Sequence, residues 1–165
     1  MVAAVTRQIP DGVLGTKTTL KIMQGLVKQG RRDPTIRTTA AELLLAAQIP
    51  PKNFYAEAEA IFRYIQSTIR YVQDVNDVET ISPALWVLQY GYGDCDDFAV
   101  LTASMLESVG HKCRFMAISF EGPDDFSHVV VQTKIGSEWI TADATEPEAF
   151  GWQPPGITFW LAWYI

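Results

Sequence analysis

The chain has 165 residues, 48% of them hydrophobic and 12% aromatic, which is enough apolar material for one core. Its 13 Lys and Arg stand against 19 Asp and Glu, and a formal net charge of −6 argues against nucleic acid as a partner. Residues 1–10 lack the charged start and the apolar run of a secretory signal, so we expect synthesis in a cytoplasm.

Apolar residues at helical spacing predict three helices in the first part of the chain. The first spans residues 14–29, and Gly30 is placed to end it. The second spans residues 34–47 behind the N-cap residue Asp33. A third, capped by Asn53, carries its apolar face to Val72.

The second part of the chain changes from helices to strands. Residues 73–93 indicate a loop with a short helix at 84–89, and a further helix is predicted at 95–109. Alternating or apolar runs then predict strands at 113–120, 127–133 and 138–143. Helices followed by strands predict an α+β fold with an antiparallel sheet.

The longest apolar stretch is the C-terminal segment 157–165, about half the length that a membrane-spanning helix requires. We therefore predict no membrane span. A buried last strand is the expected structure, and the alternative is an exposed patch that docks on a protein partner.

The two cysteines have different surroundings. Gly93 and Asp94 precede Cys95, and Asp94 is a preferred N-cap residue, with Asp97 placed to complete a capping box. A helix N-terminus favours the thiolate, so Cys95 is predicted to be a nucleophile. Cys113 opens an apolar strand and is predicted to be an inert packing residue.

Acidic neighbours oppose this activation of the thiol. Asp94, Asp96 and Asp97 raise its pKa, because nearby negative charge disfavours the thiolate. A histidine partner would offset them by forming an ion pair. His111 follows a helix-ending glycine and is expected to face solvent, whereas His128 begins an apolar run where a buried imidazole needs a partner.

His128 and Asp143 are predicted to face each other across a hairpin. If the turn is centred between Ile135 and Gly136, the two residues are directly opposed and share a sheet face. Asp143 would then orient one ring nitrogen and leave the other for Cys95, as a nucleophile, base and orienter require. A purely structural His–Asp pair is the alternative.

Several motifs around these residues match a known family in order and spacing. On these residues the chain resembles the transglutaminase-like superfamily of papain-fold enzymes, particularly its bacterial and phage-borne cysteine-proteinase-like branch. The resemblance covers about residues 83–145. The matching residues are 93–99, then Leu101, Leu106 and Gly110, then 126–129, then Trp139 and 143–145.

The resemblance implies a papain-like core in which a helix bearing Cys95 packs on an antiparallel sheet bearing His128 and Asp143. It implies that Cys95 is the nucleophile, His128 the general base and acid, and Asp143 the orienter of the imidazole. The domain is expected to span residues 1–165, with a helical lead-in at 1–72, a catalytic core at 83–145 and a C-terminal extension at 146–165.

The oxyanion donor is not matched by the resemblance. Gln89, Trp86 and Tyr90 are the candidates, and loop packing is the alternative for each. The chain also departs from the family in one motif, since the frequent His-Ala-Trp is His128-Val129-Val130 here.

These residues predict a thiol-dependent acyl-transfer enzyme, a cysteine peptidase or amidase acting on a protein or peptide substrate. Replacement of water by an amine would give a protein-glutamine transglutaminase from the same residues. The non-catalytic alternative is a bacterial or phage structural protein that joins an assembly, such as a phage particle, through residues 157–165.

No cofactor and no metal are predicted. The chain contains no Asp-x-Asp-x-Asp-Gly loop for calcium. A metal site built from Cys95, Cys113, His111 and His128 would lack the paired short spacings of zinc sites.

Overall fold

The computed structural model describes residues 12–74 and 80–165. The expectation about a signal in residues 1–10 and part of the loop predicted at 73–93 lie outside these residues. None of the helices that the structure describes combines the length and apolarity needed to span a bilayer.

The described chain forms five helices and six strands, in an α+β arrangement. The helices are α1 (Gly12–Gly30), α2 (Pro34–Ala46), α3 (Phe54–Thr68), α4 (Ala84–Tyr90) and α5 (Cys95–Ser108). The strands are β1 (Arg70–Tyr71), β2 (Tyr92–Gly93), β3 (Cys113–Ser119), β4 (Phe126–Ile135), β5 (Glu138–Ala142) and β6 (Phe159–Tyr164).

The predicted N-caps of the early helices are confirmed. Asp33 accepts a hydrogen bond of 2.8 Å from the backbone N–H of Thr35, and Asn53 accepts one of 3.3 Å from that of Ala56. The predicted extension of the third helix to Val72 is wrong. Its last residues form β1, which pairs in parallel with β2 and so brings Tyr71 beside Gly93.

Helix α5 lies at the centre of the fold. It packs against α1, α2, α3 and α4 and against the face of the sheet formed by β3 and β4. Every residue from Asp96 to Leu106 is buried, as expected of a helix enclosed on all sides. The position of its first residue, Cys95, is therefore fixed by the whole core.

The four-stranded sheet is antiparallel in the order β5-β4-β3-β6. The turn between β4 and β5 lies one residue later than predicted, at Gly136 and Ser137, so Val131 pairs with Ala142 instead of Ile140. The predicted register is thus wrong by two residues. A shift of two keeps every side chain on its predicted face, because side chains alternate with period two.

The C-terminal segment does form a strand, but its predicted burial is wrong. β6 pairs with β3 alone and forms an edge of the sheet, and three of its aromatic side chains are half exposed or more. They are Phe159, Trp160 and Tyr164.

His111 is buried, contrary to the prediction that it faces solvent. Its Nε2 lies 3.1 Å from Glu57 Oε2 on α3, and its ring meets the edge of the Phe54 ring. Burial lowers the pKa of His111, although Glu57 opposes the shift. The local sequence gave no sign of this partner, which lies on another helix.

Candidate active site

Cys95 is the first residue of α5, as predicted, and Asp94 is its N-cap. One carboxylate oxygen of Asp94 accepts hydrogen bonds from the backbone N–H groups of Asp96 at 3.1 Å and Asp97 at 3.3 Å. The thiol therefore lies at the positive end of a capped and buried helix.

The predicted capping box is confirmed: Asp94 accepts a hydrogen bond from the backbone N–H of Asp97, and the Asp97 carboxylate accepts one from that of Asp94. Asp97 also bonds a different segment. Its carboxylate accepts a hydrogen bond of 2.7 Å from the backbone N–H of Ser82, which ties the segment before α4 to the start of α5. Gly93 makes this possible, since a Cβ there would lie 2.5 Å from Cβ of Asp97. The glycine before Cys95 is required by close packing.

The sulfur of Cys95 lies between opposing electrostatic influences. Burial and the carboxylates of Asp96 and Asp94 raise the pKa of the thiol, while hydrogen bonds from the backbone N–H groups of Val129 and Asp96 lower it, and the net shift is upward. Val129 directly follows His128 on β4. The sulfur is therefore held beside the strand that carries the histidine.

His128 and Asp143 are joined by a hydrogen bond. Nε2 of His128 lies 2.8 Å from Oδ2 of Asp143, whose side chain is only 2% exposed. The other oxygen, Oδ1, accepts hydrogen bonds from the hydroxyl and the backbone N–H of Thr145. Burial alone would raise the pKa of Asp143, but the hydrogen bonds from His128 and Thr145 hold it below its ordinary value.

A β-bulge precedes the histidine. Ile118 pairs with His128 and Ser119 with Phe126, so Ser127 is an extra residue in β4. Bulges bend a strand and redirect the side chains next to them. This one lies directly before the imidazole.

Cys95 and His128 line the same cavity, which has a volume of about 300 Å³. Asp143 lies behind the imidazole. The sulfur also donates a hydrogen bond of 3.8 Å to Oδ1 of Asp96, and in the part of the chain that the structure describes no hydrogen bond joins it to the imidazole. The bond from Nε2 to Asp143 leaves Nδ1 as the nitrogen available to the sulfur.

The three oxyanion candidates lie on α4 and do not line this cavity. The Trp86 ring stacks on Tyr90 at 4.6 Å between centroids and meets the edge of Tyr92 at 5.2 Å. Gln89 is exposed. Their role as oxyanion donors stays a prediction.

Sequence reasoning missed Tyr71, which the pairing of β1 with β2 brings to the site. Its ring centroid lies 6.1 Å from that of Phe98, one turn after the thiol. Burial raises the pKa of Tyr71 to about 12, together with the proximity of Cys95 in its thiolate form and of the Asp94 carboxylate. A two-residue strand has no periodicity that a sequence pattern could reveal.

The metal-site alternative finds no support in the described residues, where no group of three or more His, Cys, Asp and Glu side chains is arranged to hold a metal ion. Cys113 is buried, as predicted for a packing residue.

Solved structures with the same fold include three bacterial proteins. A "putative cysteine protease" from Cytophaga hutchinsonii has 26% identity and a TM-score of 0.54 over 67% of this chain and 37% of its own. A "putative protease" from Parabacteroides distasonis has 15% identity and a TM-score of 0.62 over 90% of this chain and 32% of its own. This chain thus spans about a third of the length of either protein.

The third structure is calcium-bound LapG from Legionella pneumophila, with 18% identity and a TM-score of 0.57 over 88% of this chain and 87% of its own. No curated protein matches the chain. The family model of the transglutaminase-like superfamily matches residues 44–144, which include Cys95, His128 and Asp143. Because this match covers more than half of the chain, the chain belongs to the transglutaminase-like superfamily.

Proposed function

We propose that the protein is a thiol-dependent acyl-transfer enzyme, a cysteine peptidase or amidase of the bacterial cysteine-proteinase-like branch. The observation that carries the proposal is the 2.8 Å hydrogen bond between His128 and the buried Asp143, beside the cavity that His128 shares with Cys95. The 26% identity to the "putative cysteine protease" from Cytophaga hutchinsonii supports the choice of hydrolysis.

The protonation state of the site supports a general-base role for His128. Because Asp143 has a lowered pKa, it is ionised at neutral pH and keeps the proton of the imidazole on Nε2. Nδ1 then has a free lone pair. The raised pKa of Cys95 keeps the resting thiol protonated, so the thiol must lose its proton to Nδ1 as it attacks.

The reaction then has two halves. Sγ of Cys95 attacks the amide carbonyl carbon and its proton passes to His128, which returns it to the leaving amine as the C–N bond breaks. Water attacks the resulting thioester and gives a proton to His128. The C–S bond breaks, the proton returns to the sulfur, and the carboxylic acid leaves.

Backbone N–H groups are the best-supported stabilisers of the tetrahedral oxyanion. Asp94 already accepts from the N–H groups of Asp96 and Asp97, so the donors proposed here are the N–H of Cys95 itself and that of Val129, which favours negative charge on the sulfur. This arrangement requires no side-chain donor from α4.

Selective alkylation tests the proposal. At pH 7.5 iodoacetamide should modify Cys95 at least about tenfold faster than Cys113, because Cys113 is only 3% exposed, whereas Cys95 lines the cavity with His128 as its proposed base. His128→Ala should remove this difference, and Cys95→Ser should leave only slow labelling. Equal and slow labelling of both cysteines in the unaltered protein would overturn the proposal.

Capture of an acyl group on Cys95 from a peptide mixture identifies the acyl donor, and the product that is then released identifies the acyl acceptor. Release of a free acid in the presence of a primary amine indicates hydrolysis, whereas formation of a new amide indicates a transglutaminase.

One observation favours a second candidate function, that of a bacterial or phage assembly protein. β6 exposes Phe159, Trp160 and Tyr164 at an edge of the sheet, where unpaired strands and aromatic side chains invite association. An inert Cys95 together with self-association that Trp160→Ser abolishes would favour this function over catalysis.

A further inference from the structure

The cavity that contains the thiol has a second wall, formed by α1 and by the loop before β4. From the loop come Asp124 and Asp125, and α1 contributes six residues: Gly12, Gly15, Thr16, Thr19, Leu20 and Met23. Two of these six α1 residues are glycines, so part of the wall consists of backbone alone. The backbone of the two segments meets here, since a Cβ on Gly12 would lie 4.0 Å from the carbonyl oxygen of Asp124.

The charge of this wall is negative. Asp124 and Asp125 are exposed at the cavity, and neither forms an ion pair with a residue that the structure describes. No described Lys or Arg lines the cavity. Basic residues lie instead beyond the other end of α5, where Arg31, Lys112 and Lys134 line a separate cavity.

The acidic loop is held in place by β3. The hydroxyl of Ser119 bonds the carbonyl oxygen of Gly122 and accepts a hydrogen bond of 3.1 Å from its N–H. The N–H of Asp125 then bonds the Gly122 carbonyl at 3.4 Å. Both carboxylates therefore project from an anchored turn.

Thr19 gives an independent sign of a ligand. It is only 8% exposed and lines the cavity, and its hydroxyl has no hydrogen bond to any residue in the described part of the chain. The neighbouring Thr18, by contrast, bonds the carbonyl oxygen of Leu14 at 2.9 Å. The Thr19 oxygen is not among the fully buried atoms that lack a partner, so this hydroxyl of an otherwise buried residue is accessible and free to bond a ligand in the cavity.

We infer that α1 and the loop carrying Asp124 and Asp125 form a subsite for a positively charged side chain, lysine or arginine, next to the amide that Cys95 attacks. Carboxylate and hydroxyl oxygens both accept hydrogen bonds from an ammonium or guanidinium group, and the two carboxylates supply the opposite charge. The inference rests on the proposed function, whose site this is. It specifies a basic peptide as the substrate class.

Peptidyl chloromethyl ketones that differ in one residue test the subsite. Such a probe alkylates Cys95: the sulfur attacks the chloromethyl carbon, an S–C bond forms as the C–Cl bond breaks, and chloride and the thiol proton leave. The residue beside the reactive group is lysine, norleucine or glutamate. Lysine should react roughly five- to tenfold faster than norleucine, and glutamate more slowly than either, because two exposed ion pairs give modest attraction. Added salt should reduce the difference.

Variants identify the groups responsible. The rate ratio of lysine to norleucine should fall towards one in the Asp124→Asn, Asp125→Asn double variant and should decrease in Thr19→Val. Thr18→Val and Glu121→Gln are matched controls that should keep the ratio, since neither residue lines the cavity.

Three results would overturn the inference. The first is equal reaction of lysine and norleucine probes with the unaltered protein, and the second is a lysine preference that persists in the double Asn variant. The third is incorporation of free cadaverine into an acyl donor without any preference among the probes, which would make the cation an acyl acceptor. Failure of the proposed function looks different, because no probe would then label Cys95 faster than Cys113.

Discussion

His128 and Asp143 are hydrogen bonded at 2.8 Å although they are not paired residues of the sheet. The ladder between β4 and β5 ends at Val131 and Ala142, and Asp143 is the first residue beyond it. Diagonal neighbours on one face of a sheet remain within reach of long side chains. The contact thus depends on the face that the two residues share more than on their register.

Loss of the Asp143 carboxylate should disable the imidazole. In Asp143→Ala the ring loses the acceptor that fixes Nε2–H, so the alkylation of Cys95 by a peptidyl probe should slow by about 10²- to 10⁴-fold. Stopped assays followed by mass spectrometry measure this rate. Thr145→Ala is the control, since it removes only a hydrogen bond to the other carboxylate oxygen. If Asp143→Ala alkylates at a rate within about threefold of that of the unaltered protein, the carboxylate does not orient the base.

Removal of the charge on Asp94 should make the thiol more acidic. Asn caps a helix about as well as Asp, so Asp94→Asn keeps the N-cap but removes one carboxylate that raises the pKa of Cys95. The pH profile of Cys95 alkylation should move to lower pH. Asp33→Asn is matched to it, because Asp33 caps α2 with the same geometry away from the thiol. An unchanged profile in Asp94→Asn would argue against this electrostatic coupling.

Asp94 should also make stability depend on pH. Burial and Asp97 raise the pKa of Asp94 to about 6 in the folded protein, from an ordinary value of 3.8. The folded state therefore binds this proton more tightly than the unfolded chain, and the contribution to stability is present below pH 4 and lost as the pH rises through 6. Relative to Asp94→Asn, the unaltered protein should lose on the order of 1–3 kcal/mol between pH 4 and 7.5. Urea unfolding at several pH values measures the difference.

A methyl group at Gly93 should disrupt the start of α5. Its Cβ would lie 2.5 Å from Cβ of Asp97, so Gly93→Ala should destabilise the protein by about 1–3 kcal/mol and weaken the bond of Asp97 to Ser82. Gly25→Ala provides a contrast. Gly25 is exposed in the middle of α1 with nothing within 4 Å, and alanine there should stabilise by roughly 0.5–1 kcal/mol. Thermal unfolding compares the two, and equal effects would contradict the packing argument.

Protonation of His111 should destabilise the fold in mild acid. Burial lowers the pKa of His111 below 6.5, so the unfolded chain binds the proton more tightly and stability falls as the pH drops through this range. His111→Gln retains a donor for Glu57 without a titrating ring. The unaltered protein should therefore lose stability relative to this variant between pH 7 and 5 in urea titrations, and parallel curves would contradict the prediction.

Local signals in the sequence predicted the features that depend on adjacent residues. Asp33 and Asp94 cap helices because their side chains reach N–H groups two and three residues away. Cys95 was likewise predictable as the first residue of α5. The shared face of His128 and Asp143 followed from the alternation of side chains in strands.

Features set by distant partners were not predictable. Asp97 accepts a hydrogen bond from Ser82, 15 residues earlier, in addition to the capping-box bond that its local sequence predicts. The position of the turn at Gly136 was ambiguous, since shifting a hairpin by two residues leaves the apolar pattern unchanged. The burial of His111 likewise depends on Glu57, 54 residues earlier.

Helix α1 forms one wall of the cavity at the thiol and lies outside the part of the chain that the family model matches. The superfamily match begins at residue 44, whereas α1, which supplies Thr19 and its glycine neighbours to the cavity, ends at Gly30. Sequence changes in that helix can alter the wall of the cavity beside Cys95 without changing the His128–Asp143 pair on the sheet. Superfamily members with the same sheet can therefore differ in substrate preference. Grafting the amino-terminal helix of one member onto another would test whether that preference moves with the helix.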